Sequence, residues 1–345
     1  MPVTVEKVRK MLASLPEPDV YSLAAARVRQ GALTKPPGSL GRLEEIAVFM
    51  AGWQGCEKPV LDRVQALVFA GNHGVAARGV SAFPVEVTAQ MVANFRADGA
   101  AINALAAACG ASLSVYALDL DRPTGDICVE PAMSEEDCLE AFQTGADAVD
   151  PEAQLLFVGE MGIGNTTPAA ALCAAALGGP VALWCGRGTG LDDAGVDRKV
   201  AAVEAAIALH KPYCGDPIEA LRRLGGREIA AMAGAILQAR MLRIPVLLDG
   251  YIACASLVPF HAHHPQVLDH CLAAHCSAES AHGRLLKRFD LDPLLNLGMR
   301  LGEGSGAAVA VQIVRSALAA HNAMATFAEA AVSERTIAPH SRETH

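Results

Sequence analysis

The chain has 345 residues, of which 52% are hydrophobic but only 4% aromatic. Its core is therefore built mainly from Ala, Val, Leu and Ile, which suits helices packed closely on a parallel sheet, and the length allows about two domains. A formal net charge of -9 excludes the basic face that nucleic acid requires. The sequence shows no charged-then-apolar leader, no run long enough to span a bilayer and no CxxC pair among its 10 cysteines, so a cytoplasmic protein with reduced thiols is expected.

Two stretches near the start carry apolar stripes at helical spacing: Val8, Met11 and Leu12, then Leu43, Ile46, Ala47 and Met50. Between them, Thr34–Glu44 holds Pro36, Pro37, Gly38 and Gly41, which no helix crosses, so it is a linker or a binding loop. An alternating pattern follows. Strands are predicted at Val64–Ala70, Leu113–Leu118, Leu155–Val158, Val181–Cys185 and Val246–Leu248, with helices at Ala89–Ala108, Ala169–Leu177, Val196–Ala208 and Arg227–Ala239. This predicts an α/β fold over about 61–265, a doubly wound, mainly parallel, Rossmann-like sheet whose ligand site lies beyond the carboxyl ends of its strands. Nearly every polar or glycine-rich cluster falls at such an end. From about 265 the pattern returns to helices, so residues 1–60 and 266–335 are expected to form a smaller helical domain. Its 297–306 turn would reach the site, and 336–345 would be a polar tail.

Two carboxylates stand where packing does not ask for them. Leu155–Leu172 reads as a strand, a turn with Gly159, Gly162 and Gly164, and a helix opened by Asn165, Thr166, Thr167 and Pro168. That order aims backbone N–H groups at one spot and can hold a phosphate, although it also serves as a plain connection. Glu160 inside it favours a functional turn. Glu303 lies between Gly302 and Gly304, flanked by apolar residues on both sides. Such a carboxylate is buried, and it is costly there unless paired or catalytic.

Other candidates are weaker. Enzymes that use pyrophosphorylated ribose place paired acids before a Thr-Gly turn, whereas here Thr189 and Gly190 precede Asp192 and Asp193. That turn still offers N–H groups to a phosphate, and Lys199 is the nearest ammonium. His261, His263, His264, His270 and His275, with Cys271 and Cys276, match neither HExxH nor CxxC, so no metal is expected. Ser277 and Glu279 beyond them are unremarkable by themselves.

The segments TKPPGSLGRLE, AGNHGV, FPVEVTAQMV, GEMGIGNTTPAAAL, GRGTGLDD, GGREIAAMAGAIL, LLDGYIA and LGEGSGAA occur in that order over roughly Thr34–Val311. In this the chain resembles the nicotinate-nucleotide–dimethylbenzimidazole phosphoribosyltransferases. The resemblance implies transfer of phosphoribose from nicotinate mononucleotide to 5,6-dimethylbenzimidazole, giving α-ribazole 5′-phosphate and nicotinate for cobalamin. It also implies a homodimer and no cofactor, and the cationic leaving group removes the need for a divalent ion. By the same resemblance Glu303 is the general base and Glu160 a second acid near the ribose. Gly162, Thr189, Gly190, Lys199, Asp249, Gly250, Ser277 and Gly304 are nucleotide-binding positions, and Ser81, Phe83, Val87, Gln90 and Met91 wall the base pocket. The competing reading is a non-catalytic nucleotide-binding or sensor protein on the same scaffold. A dinucleotide-dependent oxidoreductase is weaker, since no GxGxxG turn follows the first strand.

Overall fold

Strand β1 (Val64–Ala70) is buried at every position, as expected of a central strand with helices on both faces. In the computed structural model, which describes residues 3–333, it lies between β2 (Ala111–Ala117) and β3 (Leu155–Met161). Beyond β3 come β4 (Val246–Leu248) and β5 (Cys271–Ala273), and every pairing is parallel. The chain moves outward from β1 to β2, then returns to the other side of β1 for β3. Strand order thus reverses between β1 and β3, and a cavity lies beyond the carboxyl ends of β3 to β5. The fold is the expected doubly wound α/β sheet.

Small residues let the covering helices approach closely. On the helices Glu135–Asp147 and Arg227–Met241, a Cβ on Gly145 would lie 1.8 Å from the Ala231 carbonyl oxygen, and one on Gly234 would lie 2.0 Å from that of Phe142. Backbone packing of this kind accounts for a core so poor in aromatics.

Several elements differ from the sequence reading. Val181–Leu183 is a short 3-10 helix rather than a strand; Gly178, Gly179 and Pro180 turn the chain just before it, and the Trp184 indole donates back to the Gly178 carbonyl at 2.9 Å. The fifth strand is instead β5, from the segment expected to be helical. The stretch Ala89–Ala108 is divided into the helices Glu86–Arg96 and Ala101–Cys109, because Asp98 takes a left-handed conformation and Asn103 accepts from the Ala100 N–H to start the second. β3 runs on to Met161, paired with Ala70, so Glu160 ends a strand rather than sitting in a turn.

Two compact units emerge. Among the described residues, one comprises 3–18 together with Leu61–Ile313, the other Asp19–Val60 together with 314–333. Residues 266–313, expected in the small unit, belong to the large one, since β5 completes its sheet. The tail expected at 336–345 lies outside the described residues. Within the small unit the Arg29 guanidinium donates to the carbonyls of His321 and Asn322. Its 34–44 loop is pinned by a Lys35–Glu44 ion pair at 2.8 Å. Burial pushes the Glu44 carboxyl up, but Lys35 and the Leu40 N–H outweigh it and hold the pKa below its ordinary value.

Among the described residues, no helix is long and apolar enough to cross a membrane.

Candidate active site

Gly302, Glu303 and Gly304 have φ of 87°, 64° and 82°, three successive residues in the left-handed region. For the two glycines this is free, whereas for glutamate it costs about 1–2 kcal/mol. Glu303 is only 4% exposed, and its Oε2 has no hydrogen-bond partner. Burial raises its pKa above the ordinary carboxylate value, with the Ile102 N–H opposing. A strained backbone holding a buried, half-satisfied acid is what a functional position looks like.

Close glycine contacts join this turn to β3. A Cβ on Gly159 would lie 2.1 Å from the Glu303 carbonyl carbon, and one on Gly302 would lie 2.3 Å from Glu160 Oε1. Glu160 and Glu303, far apart in sequence, thereby become neighbours across two glycines. Burial lifts the Glu160 carboxyl to about 8, against a hydrogen bond from Asn165 and with support from nearby acids. Asn165 donates from Nδ2 to Glu160 Oε2 at 2.5 Å. It precedes the helix Thr166–Leu177 but makes no side-chain cap to it, so its amide serves the acid instead.

Asp249, just after β4, accepts from the N–H groups of Gly304 (3.2 Å) and Ala307 (2.9 Å). Both carboxylate oxygens are thus spent on the N-terminus of the helix Ser305–Ala323, a charge placement the helix dipole favours. Burial nonetheless raises its pKa to about 7. In this arrangement Asp249 fixes the Glu303 turn. His275, after β5, lies 3.7 Å from it.

Glu160, Gly162, Thr189, Asp249, Gly250, Ser277 and Gly302 line one cavity at the strand ends. Lys199 shares an adjoining one with Ser81, Gly162, Thr166 and Thr189, and Gly190 lines a third with Arg300. The Lys199 ammonium donates to Thr166 Oγ1 and to the Gly186 carbonyl, each at 2.9 Å. Burial lowers its pKa. It therefore stands beside the start of the helix Thr166–Leu177, where an anion is favoured.

The base-pocket residues are less enclosed. Phe83 is 49% exposed, Gln90 is exposed, and Val87 and Met91 are half-buried. They lie on or just before the helix Glu86–Arg96, whose inner face carries Thr88, Val92 and Phe95. Thr88 Oγ1 accepts from the Ile163 N–H at 3.2 Å, tying this helix to the turn after β3.

Sequence reasoning passed over some of the machinery. His73 and Glu228 form a pair at 2.6 Å with neither side chain exposed, and a Cβ on Gly71 would come 2.5 Å from Glu228 Oε2. Glycines next to each partner, Gly71 and Gly226, were the available signal. Arg300 lines two cavities and donates to the Gly188 carbonyl at 3.1 Å. The histidine cluster is scattered: His270 bonds the Ile236 carbonyl and His261 packs on Phe289. Among the described residues no group of three or more His, Cys, Asp or Glu could hold a metal ion.

The raised acids predict a pH dependence. Glu160 and Asp249 have folded pKa values near 8 and 7, above those of an unfolded chain. Their contribution to stability is full below the unfolded carboxylate values of about 4, falls steadily as pH rises above them, and is lost once pH passes the folded values. Glu160→Gln removes one of them, so it should gain stability relative to wild type between about pH 5 and pH 8. Thermal unfolding of both proteins across that range checks this; a constant difference contradicts it.

A parallel sheet with acids and glycine turns gathered beyond the carboxyl ends of β3, β4 and β5 belongs to the class of the family model that matches residues 15–332, described as phosphoribosyltransferase. The protein of Novosphingobium aromaticivorans named nicotinate-nucleotide–dimethylbenzimidazole phosphoribosyltransferase is 62% identical over 323 residues, 94% of this chain and 96% of that one. A protein of the same name from a Ruegeria species is 58% identical over 331 residues, 96% and 98% of the two chains. The crystal structure of the Thermus thermophilus protein of that name superposes with a TM-score of 0.85 at 40% identity, covering 92% of this chain and 100% of the other. The chain belongs to the nicotinate-nucleotide–dimethylbenzimidazole phosphoribosyltransferase family.

Proposed function

We propose that the chain transfers phosphoribose from nicotinate mononucleotide to 5,6-dimethylbenzimidazole, with Glu303 as the general base. The observation that carries this is the buried Glu303 carboxylate, held in a left-handed turn against the end of β3 with an oxygen to spare. One ring nitrogen of the base attacks the anomeric carbon while the bond to the pyridinium breaks. Nicotinate leaves with that electron pair, which neutralises its ring. The proton on the other benzimidazole nitrogen passes to Glu303, and the nearby Glu160, in its ionised form, stabilises positive charge on the sugar. Lys199 and the start of the helix Thr166–Leu177 hold the phosphate. Phe83, Val87, Gln90 and Met91, with Ser81, receive the base.

Because the leaving group is already cationic, turnover should be independent of divalent ions. Nicotinate release should require added dimethylbenzimidazole and persist in a chelator. Loss of activity after chelation, restored by magnesium or zinc, would contradict the mechanism. We also propose that two chains assemble as a homodimer in the cytoplasm; sedimentation should then give twice the 35.8 kDa chain mass, and a single-chain mass would overturn the assembly.

A further inference from the structure

The reaction as proposed places the anomeric carbon near Glu303 and the phosphate near Lys199, so the ribose must lie between them. Its hydroxyls are the donors any binding site has to satisfy, and a carboxylate is the usual acceptor for them. Three carboxylates line the central cavity: Glu160, Asp249 and Glu279. Asp249 spends both oxygens on Gly304 and Ala307. Glu160 takes the Asn165 amide on Oε2, and the reaction as proposed assigns it to the charge of the sugar rather than to its hydroxyls.

Glu279 differs. It is only 9% exposed, and it lines both the central cavity and the one shared by Gly190 and Arg300. Its Oε2 accepts from the Gly188 N–H at 3.1 Å, while Oε1 is buried without a partner. Its own N–H donates to Ser277 Oγ at 3.2 Å, which anchors the backbone. Room for the carboxylate is made by Gly186, where any Cβ would collide with Oε1. A carboxyl oxygen left unsatisfied in a buried site is unfavourable, and a ligand hydroxyl would relieve it.

We propose that Glu279 recognises the ribose of the nucleotide, its Oε1 accepting a hydrogen bond from a 2′- or 3′-hydroxyl. This rests on the phosphoribosyl-transfer reading, and it adds a determinant that distinguishes ribose from deoxyribose.

The test is calorimetric binding of nicotinate mononucleotide and of its 2′-deoxy and 3′-deoxy analogues to wild type, Glu279→Ala and Glu279→Gln. Wild type should bind at least one deoxy analogue about tenfold to a hundredfold more weakly than the parent nucleotide, and in Glu279→Ala that gap should close to within about threefold. Glu279→Gln keeps the size and an acceptor, so it should show a reduced gap, and it serves should the alanine variant fail to fold. An undiminished gap in the variants, or equal weakening toward all three ligands, would overturn the proposal. Nicotinate release by wild type tests the reaction separately: binding with the expected gap but no release defeats the reaction and leaves ribose recognition standing, whereas no binding defeats both.

Discussion

Glu303→Gln is expected to lower turnover at least about 100-fold while the affinity for nicotinate mononucleotide stays within about tenfold. The amide keeps the size and shape of the side chain but neither takes the proton nor carries the charge. A general base is worth about 10²- to 10⁴-fold in rate, and lost stabilisation of positive charge adds to that. Binding changes less, because the phosphate is assigned to Lys199 and the start of the helix Thr166–Leu177, which Glu303 does not line. Folding should survive, since the exchange replaces a carboxylate whose ionised form burial already disfavours. Steady-state kinetics with direct binding checks the split. Equal losses in both, or near-normal turnover, would make Glu303 structural and return attention to Glu160.

Gly159→Ala should be nearly as damaging, although it alters no polar group. The new Cβ would lie 2.1 Å from the Glu303 carbonyl carbon and 2.3 Å from both its oxygen and the Gly304 nitrogen. These are backbone atoms and cannot swing aside as a side chain can. The turn would have to retreat by about 1 Å, a displacement that typically costs on the order of 100-fold in rate. A loss of about 1–3 kcal/mol in stability should accompany it, as in other overpacked interiors. Gly178→Ala is the control: its Cβ meets nothing within 4 Å, and although the positive φ of Gly178, which Gly159 does not share, should lower stability, the rate should not change. Wild-type activity in Gly159→Ala would show that the turn is not held where the contacts put it.

How far the sequence was legible depended on the range of the interaction that fixes each feature. β1 falls where expected, and β3 begins where expected but runs on past Val158 to Met161; both are seven-residue strands with apolar cores set by local composition. β5 has three residues among histidines and cysteines, too short for a periodic signal, and its place is set by pairing with β4. Val181–Cys185 carried a strand-like composition, but the glycines and proline before it prevailed. At the site, Glu160 and Glu303 stood out because acids beside glycines have no packing reason to be there. The use of Asp249 to hold the Glu303 turn was invisible, and the burial of Glu228 against His73 was marked only by the nearby glycines Gly71 and Gly226. Each joins residues more than 50 positions apart, and nothing local to either partner names the other.

The central claim is that one site joins the two substrates by direct displacement, and product analysis tests it most directly. The purified chain is given nicotinate mononucleotide and 5,6-dimethylbenzimidazole in the presence of a chelator, and both products are quantified with the anomeric configuration of the new nucleotide. The account predicts nicotinate and α-ribazole 5′-phosphate in equal amounts, with the α linkage. Nicotinate without the benzimidazole nucleotide, or no nicotinate at all, would contradict it.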